Sequence, residues 1–451
     1  MTNPLSSPQT PDTDIRRVVM LFSGGPAPAA NAVIGGAATA FSRAGIEVLG
    51  MKNGYSHLIN FKPGDELKED EAYVVLEAAD MEGLRTSGGI MIGTARENPG
   101  KEMKTHADLV DPVKTAPMRR VYEALLSLEA DVLISMGGDD TLTTAAKFKL
   151  WQDKLPEGSK RIKIVHLPKT IDNDYKGIDF TFGYFTAVEM LATQVRNILE
   201  DSAAAGAGFV VQVMGRKAGW LAYGAAIAGE ASFVISLEDI PDEWKTTEET
   251  IDPATEEVML GDDDKPVMRE IFKIEEIVKR CTEVMIAREE EGKKNHVFII
   301  AEGVAEYLPF AEMKKCLSPD DLKALKPDSF GHFPVSQLKY SNRLGRRISE
   351  LYKEMSGKEK KVNGLQFGYE VRCHRPTAFD VILGSQIGVG AYRALVEEGL
   401  DGIMVSVGGE MALSYPSFDE LIDMEILRAH ERLVDTEGDF HQLQRYIEPR
   451  S

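Results

Sequence analysis

Apolar and polar positions along the chain alternate between two signals. Short apolar, β-branched runs are followed by longer stretches with a helical period. Runs of the first kind predict strands over residues 16–22, 46–51, 131–136, 161–167, 208–213, 232–237, 296–301, 362–367 and 401–407. The second signal predicts helices over 31–43, 118–128, from the GGDDT stretch to 150, roughly 186–202, up to 229, and over 270–291, 337–355 and 377–398. The basic character of 337–355 reads as a solvated face, and the residues beyond 410 read as a polar tail. Residues 1–14, rich in Pro, Ser and Thr, read as a disordered tail. The acidic stretch 240–269, with its GDDD run and poor periodicity, reads as a surface excursion. Alternation sustained to the end of the chain predicts an α/β fold, doubly wound, with mostly parallel sheets.

Several predicted strands end in groups that carry chemistry. The first ends in SGGPAPAA (23–30), a glycine-rich turn before a helix of small residues. A helix N-terminus there offers free backbone N–H groups to a phosphate. The turn matches neither a dinucleotide fingerprint nor a P-loop, and a plain tight turn has the same composition. A second glycine-rich loop, SGGIMIGTAR (87–96), ends in Arg96. GGDDT (137–141) sets two carboxylates side by side at a strand end, which suits Mg²⁺ shared with substrate phosphates. LPKTIDNDY (167–175) gathers a lysine, a threonine, two aspartates and an asparagine where open α/β sheets bind ligands. Asp-Asn-Asp is also good turn chemistry. Further strand ends carry MGRKAG (214–219), Glu302-Gly303, and Tyr369, Arg372 and His374.

Composition narrows the classes. At 451 residues the chain is long enough for two domains. The net charge of −20 argues against nucleic acid and an anionic membrane as partners, so an anionic substrate needs a locally basic pocket. Three widely spaced cysteines, Cys281, Cys316 and Cys373, give no disulfide framework and point to a reducing cytoplasm. There is no apolar run of membrane-spanning length and no signal-peptide pattern.

Glycines, metal-binding acids and phosphate-binding bases at successive strand ends suit phosphoryl transfer. In their order, GGPAPAAN, GTAR, GGDDT, PKTIDND, MGR, EG and GYEVR resemble the phosphofructokinase family, from about Arg16 to Val407. The resemblance implies two Rossmann-like domains with the active site in the cleft between them. One would be a phosphate-donor domain over 15–181 with a return segment near 377–400. The other would be a sugar-phosphate domain over 182–376 with the C-terminal segment 401–451. It also implies roles. Asp172 matches the general base for the fructose 1-hydroxyl, with Thr170, Ile171 and Asp174 around it on the sugar. Asp139 matches the Mg²⁺-binding acid, Gly25 the glycine whose backbone meets the donor, and Arg96 the arginine that neutralises the transferring group. Met214, Gly215, Arg216 and Glu302 match the contacts to the sugar, and Tyr369 and Arg372 the pair at its 6-phosphate.

Two positions bear on the donor. ATP-using members read GGDG and PGTIDND, where this chain has Asp140 and Lys169. An aspartate puts bulk and negative charge where a nucleotide α-phosphate would pass. A lysine puts a cation within reach of a phosphate oxygen. Both changes, and Pro26, resemble the pyrophosphate-dependent members, with Lys169 then part of the catalytic set. The implied reaction is reversible transfer from pyrophosphate to fructose 6-phosphate, with Mg²⁺, in a homo-oligomer (dimer or tetramer). Alternatives are an ATP-dependent enzyme, a pyrophosphate-dependent kinase for a sugar such as sedoheptulose 7-phosphate, and a non-catalytic subunit of the same fold. The chain departs from the family at Ala207 and Asn363, where bacterial ATP-using members lend arginines across subunits, and at Ala29, usually glycine. Gly35 and Thr39 stand where those members carry effector-binding arginines, which predicts that such control is lost.

Overall fold

A computed structural model of the protein describes residues 5–261, 263–325 and 338–449. The chain forms two compact units. The first gathers the chain up to Ile171, Tyr175–Thr186 and Val371–Glu431; the second gathers Asp172–Asp174, Ala187–Glu370 and the chain from Arg432 on.

The elements follow the predicted alternation. In chain order they begin β1 (Arg17–Ser23), α1 (Ala30–Arg43), β2 (Glu47–Met51), β3 (Tyr73–Val75), α2 (Ala116–Ser127), β4 (Val132–Gly137), α3 (Asp139–Gln152), β5 (Lys163–Pro168) and α4 (Tyr184–Ala205). Next come β6 (Gly208–Val213), α5 (Trp220–Gly229), β7 (Phe233–Ile235), β8 (Lys245–Glu249), β9 (Met268–Phe272), α6 (Ile274–Glu290) and β10 (His296–Ala301). They are followed by α7 (Phe310–Cys316), α8 (Pro319–Ala324), α9 (Ser341–Ser356) and β11 (Val362–Phe367). The chain closes with α10 (Ala378–Tyr392), β12 (Ile403–Met404), β13 (Ser406–Val407), β14 (Leu413–Ser414), α11 (Phe418–Leu421) and α12 (Asp439–Ile447), with a short β-hairpin at 422–429 between the last two helices.

The first unit holds a sheet of order β12-β5-β4-β1-β2-β3, parallel except for β3, which runs antiparallel to β2 at one edge. Strand order reverses between β1 and β4, so their C-terminal ends flank the switch point where such sheets bind ligands. Helices α1 and α10 pack backbone to backbone. A Cβ on Gly388 would lie 2.3 Å from the Val33 carbonyl oxygen, and one on Gly36 would lie 2.9 Å from that of Ser385. That close approach is the reason residues 30–43 are so small. The second unit holds an all-parallel sheet of order β11-β6-β10-β7, with its own core around Val210, Phe298 and Ile348.

Some expectations are corrected. The return to the first unit runs from Val371 to Glu431 instead of 377–400, because β12 pairs with β5 through Ile403↔Val165 and Met404↔His166. The segment 401–431 therefore does not belong with the second unit; only the chain from Arg432 on does. The strand expected over 401–407 divides, since Ser406–Val407 turns to pair antiparallel with Leu413–Ser414. The end of the chain is not a polar tail: α12 stacks Phe440 on Trp220, and Arg445 and His441 both meet the buried Asp239 carboxylate. The acidic excursion contains an antiparallel ribbon, β8 with β9, and Arg269 within it is 5% exposed. That pairing holds 268–272 extended, so the helix expected from 270 begins at Ile274. Helix α9 is not simply a solvated face. It buries Leu344, Ile348 and Tyr352, while Arg343 and Arg347 pair with Glu312 and Glu275. Gln337 and Asp262, parts of the expected basic helix and of the GDDD run, lie outside the described residues.

Candidate active site

In the first unit three strands end in register. Ser23 pairs with Gly137, and Gly137 with Pro168. Gly24, Gly138 and Lys169 therefore leave the sheet side by side. Gly24 holds φ +88°, a conformation that favours glycine. Its N–H donates to the Ala95 carbonyl (2.8 Å), and its own carbonyl accepts from the Thr94 hydroxyl (2.7 Å). The GTAR loop is thereby bound to the first glycine turn, and Arg96, exposed, follows directly. Lys169 is 7% exposed. Its ammonium lies 3.6 Å from where a Cβ on Gly24 would stand and 3.9 Å from that of Gly138, with the Phe22 ring 5.9 Å away. The Arg372 guanidinium comes to the same loop, 3.6 Å from the Cβ position of Gly25.

Asp139 and Asp140 form the first turn of α3, where the helix dipole favours negative charge. The Asp140 N–H donates to Asp139 Oδ1 (2.9 Å). Two adjacent carboxylates supply hard oxygen donors that fit Mg²⁺ bound by one or two acids together with substrate phosphates. Among the described residues there is no cluster of three or more potential metal ligands. On the same face of α3, the Thr144 hydroxyl donates to Asn98 Oδ1 (2.7 Å) and Lys147 Nζ to the Gly100 carbonyl (3.2 Å). These bonds anchor the loop that carries Arg96. Burial lowers the Lys147 pKa.

Beneath the switch point lies a buried relay. The Tyr175 hydroxyl donates to the Gly137 carbonyl (2.7 Å) and stands 3.0 Å from His166 Nε2. Burial pushes His166 down to about 3, so the ring is neutral, and with the Tyr175 proton engaged Nε2–H is the donor.

The second unit repeats the plan. Val213 pairs with both Ala301 and Phe367, so Met214, Glu302 and Gly368 leave the sheet together. Gly215 (φ +127°) and Gly303 bring two turns into contact: the Gly303 N–H donates to the Gly215 carbonyl (3.2 Å), and a Cβ on Gly303 would lie 2.2 Å from the Arg216 oxygen. Arg216 meets Glu306 with two bonds of 3.2 Å each. Glu302 is 6% exposed and Tyr369 62%. Arg269 donates to the Glu306 carbonyl (3.1 Å) and to that of Leu308, and pairs with Glu248. The acidic excursion thus braces the turn that bears Glu302 and Glu306.

The residues singled out in the sequence fall into two sets. Gly25, Arg96, Asp139, Asp140, Lys169, Thr170, Ile171 and Arg372 belong to the first unit; Asp172, Asp174, Met214, Gly215, Arg216, Glu302 and Tyr369 belong to the second. The expected pair Tyr369 and Arg372 divides between the units, and Arg372 stands at the donor glycine loop. Gly35 is also not bare of charge: Arg85 lies over it, its Cγ 2.9 Å from the Cβ position. Sequence reasoning missed Thr144 and Lys147, although their spacing from Asp140 puts all three on one helix face. It missed Glu306 and Arg269 because their partners are distant in sequence.

The phosphofructokinase family model matches residues 17–395. A pyrophosphate–fructose 6-phosphate 1-phosphotransferase of Thermotoga maritima is 29% identical over 95% of this chain and 89% of its own. One of Naegleria fowleri is 31% identical over 98% and 91%. An ATP-dependent 6-phosphofructokinase of Chloroflexus aurantiacus is 26% identical over 93% and 95%. Among solved structures, a pyrophosphate-dependent phosphofructokinase of Nitrosospira multiformis superposes with a TM-score of 0.62 at 17% identity, over 97% of this chain and 93% of that one. Pichia pastoris phosphofructokinase gives 0.62 at 22%, over 92% of this chain, which spans only 36% of that longer one.

Proposed function

We propose that this chain, which belongs to the phosphofructokinase family, takes its phosphoryl group from pyrophosphate and passes it to the 1-hydroxyl of fructose 6-phosphate. The observation that carries the choice of donor is the Lys169 ammonium, 3.6 Å from the Cβ position of Gly24 and 3.9 Å from that of Gly138. A buried cation between two glycine turns suits the terminal phosphates of a short donor. Asp140, exposed in the first turn of the helix after Gly138, adds bulk and an adverse charge against the rest of a nucleotide. The two relatives of about 30% identity that carry pyrophosphate in their names support the same choice. ATP is the competing donor, since an ATP-dependent relative aligns over nearly the same span.

In this reading the first unit serves the donor and the second the sugar. The backbone at Gly24 and Gly25, with Lys169, Arg96 and Arg372, neutralises the phosphates. Asp139, with Asp140, would hold Mg²⁺, which when bound neutralises charge on the phosphate oxygens. Asp172 accepts the proton of the attacking hydroxyl. Met214, Arg216 and Glu302 hold the sugar, with Glu306 fixing Arg216 through its paired bonds. Homo-oligomeric assembly and a reducing cytoplasm remain part of the proposal. Among the described residues no helix is long and apolar enough to cross a membrane.

The test is the reverse reaction. Fructose 1,6-bisphosphate incubated with inorganic phosphate, Mg²⁺ and the protein should give a pyrophosphate resonance by ³¹P spectroscopy. No pyrophosphate under conditions where ADP is converted to ATP would overturn the reading.

A further inference from the structure

We infer that Arg432 is a positioning residue for Asp172–Asp174, an inference that rests on the reading of Asp172 as the general base. Asn173 sits between the two aspartates, fully buried, with φ +55°. A non-glycine residue keeps such a conformation only where its surroundings hold it. Arg432 supplies two of the bonds that do so. Its guanidinium Nη2 donates to the Asn173 carbonyl (2.8 Å), and its backbone N–H donates to the Asp174 carbonyl (2.8 Å). One residue further along, Tyr175 bridges antiparallel to Glu431. The segment bearing the base is therefore edged by a returning stretch of chain.

Arg432 is itself fixed from below. Its guanidinium lies over the Trp220 indole, 4.6 Å from the ring centroid, and Trp220 Nε1 donates to the Arg432 carbonyl (3.0 Å). Phe440 of α12 also stacks on the Trp220 indole, with ring centroids 5.2 Å apart and planes at 24°. The planar guanidinium can stack and donate in its own plane at once, which a lysine ammonium cannot. The carbonyls that Arg432 holds belong to the two residues after Asp172, so they fix the backbone turn from which its carboxylate projects. Proton transfer falls off steeply when the base is displaced by about 1 Å.

The experiment compares wild type with Arg432→Ala and Arg432→Lys in the full chain. For Arg432→Ala, kcat should fall by roughly 10–100-fold while KM for pyrophosphate stays within about threefold. Added guanidinium at millimolar concentration should recover part of kcat. Amide hydrogen exchange should accelerate in peptides covering 170–176 and not in those of the two sheets. Arg432→Lys, which keeps the charge and much of the packing, should show the same local exchange and the same split of kcat from KM. Unchanged kcat and unchanged local exchange in both variants would overturn the inference. So would a loss of kcat accompanied by faster exchange throughout the chain, which marks a structural role only. If wild type shows no pyrophosphate-dependent turnover, the proposed function fails, and the exchange measurement alone decides whether Arg432 holds the segment.

Discussion

The Lys169 ammonium stands 3.6 Å from the point where a side chain on Gly24 would begin. Lysine and glycine turn come from strands β5 and β1, separated in the sheet by β4. They meet because Ser23, Gly137 and Pro168 end in register. Removing the cation should therefore cripple use of a short donor. Lys169→Gly is expected to lower pyrophosphate-dependent kcat/KM by roughly 10²–10³-fold, the scale of one lost electrostatic contact to a transition state. Asp140→Gly should admit ATP measurably. Initial rates with each donor check both, and an Asp140→Gly enzyme blind to ATP would move the specificity elsewhere in the pocket.

Asp172→Asn keeps the shape of the side chain but cannot accept a proton. Its kcat should drop by roughly 10²–10⁴-fold with KM little changed. Turnover near that of wild type would remove Asp172 from the role.

Ala29 caps α1 with φ +66° and is buried. Glycine adopts that conformation without a Cβ penalty. Ala29→Gly should raise the unfolding free energy by roughly 0.5–1 kcal/mol in denaturant titrations, the strain relieved exceeding the entropy added to the unfolded chain. A destabilised variant would show that the Ala29 methyl packs better than it strains.

Two buried histidines contribute to the loss of stability just below neutral pH. Burial depresses both His166 and His296 to about 3. Unfolded, each would titrate near 6.5, so the unfolded chain binds more protons below that pH and stability falls as the pH is lowered. Between pH 6.5 and 5 the unfolding free energy should fall by up to about 1.4 kcal/mol per unit for each ring. His166→Gln preserves an N–H donor toward Tyr175 and should remove about half of that slope. A slope unchanged in the variant would mean that other groups carry it.

Much of the molecule was legible in the chain. The runs over 208–213 and 296–301 are strands with those bounds, because strands buried on both faces are largely apolar; 362–367, half-buried at the edge of the same sheet, also keeps its expected bounds. Arg96, Asp139, Lys169 and Glu302 were found because each directly follows or closes a strand or glycine turn. What escaped depends on distant partners. Arg432 is one polar residue in a polar stretch until Trp220 and Asn173 are beside it. Arg269 lies in an acidic, aperiodic segment, and only the carbonyls of Glu306 and Leu308 explain its burial. The apolar pattern over 401–407 merges β12 into a longer strand, because local pattern carries no sign of where pairing with β5 stops.

The choice of phosphoryl donor is tested most directly by initial rates of wild-type protein with fructose 6-phosphate and Mg²⁺, supplied with either pyrophosphate or ATP at equal concentration. Formation of fructose 1,6-bisphosphate from pyrophosphate at least about 100-fold faster than from ATP is expected, a difference of roughly 2.7 kcal/mol in transition-state binding. Equal or faster formation from ATP would contradict the role given to Lys169 and Asp140.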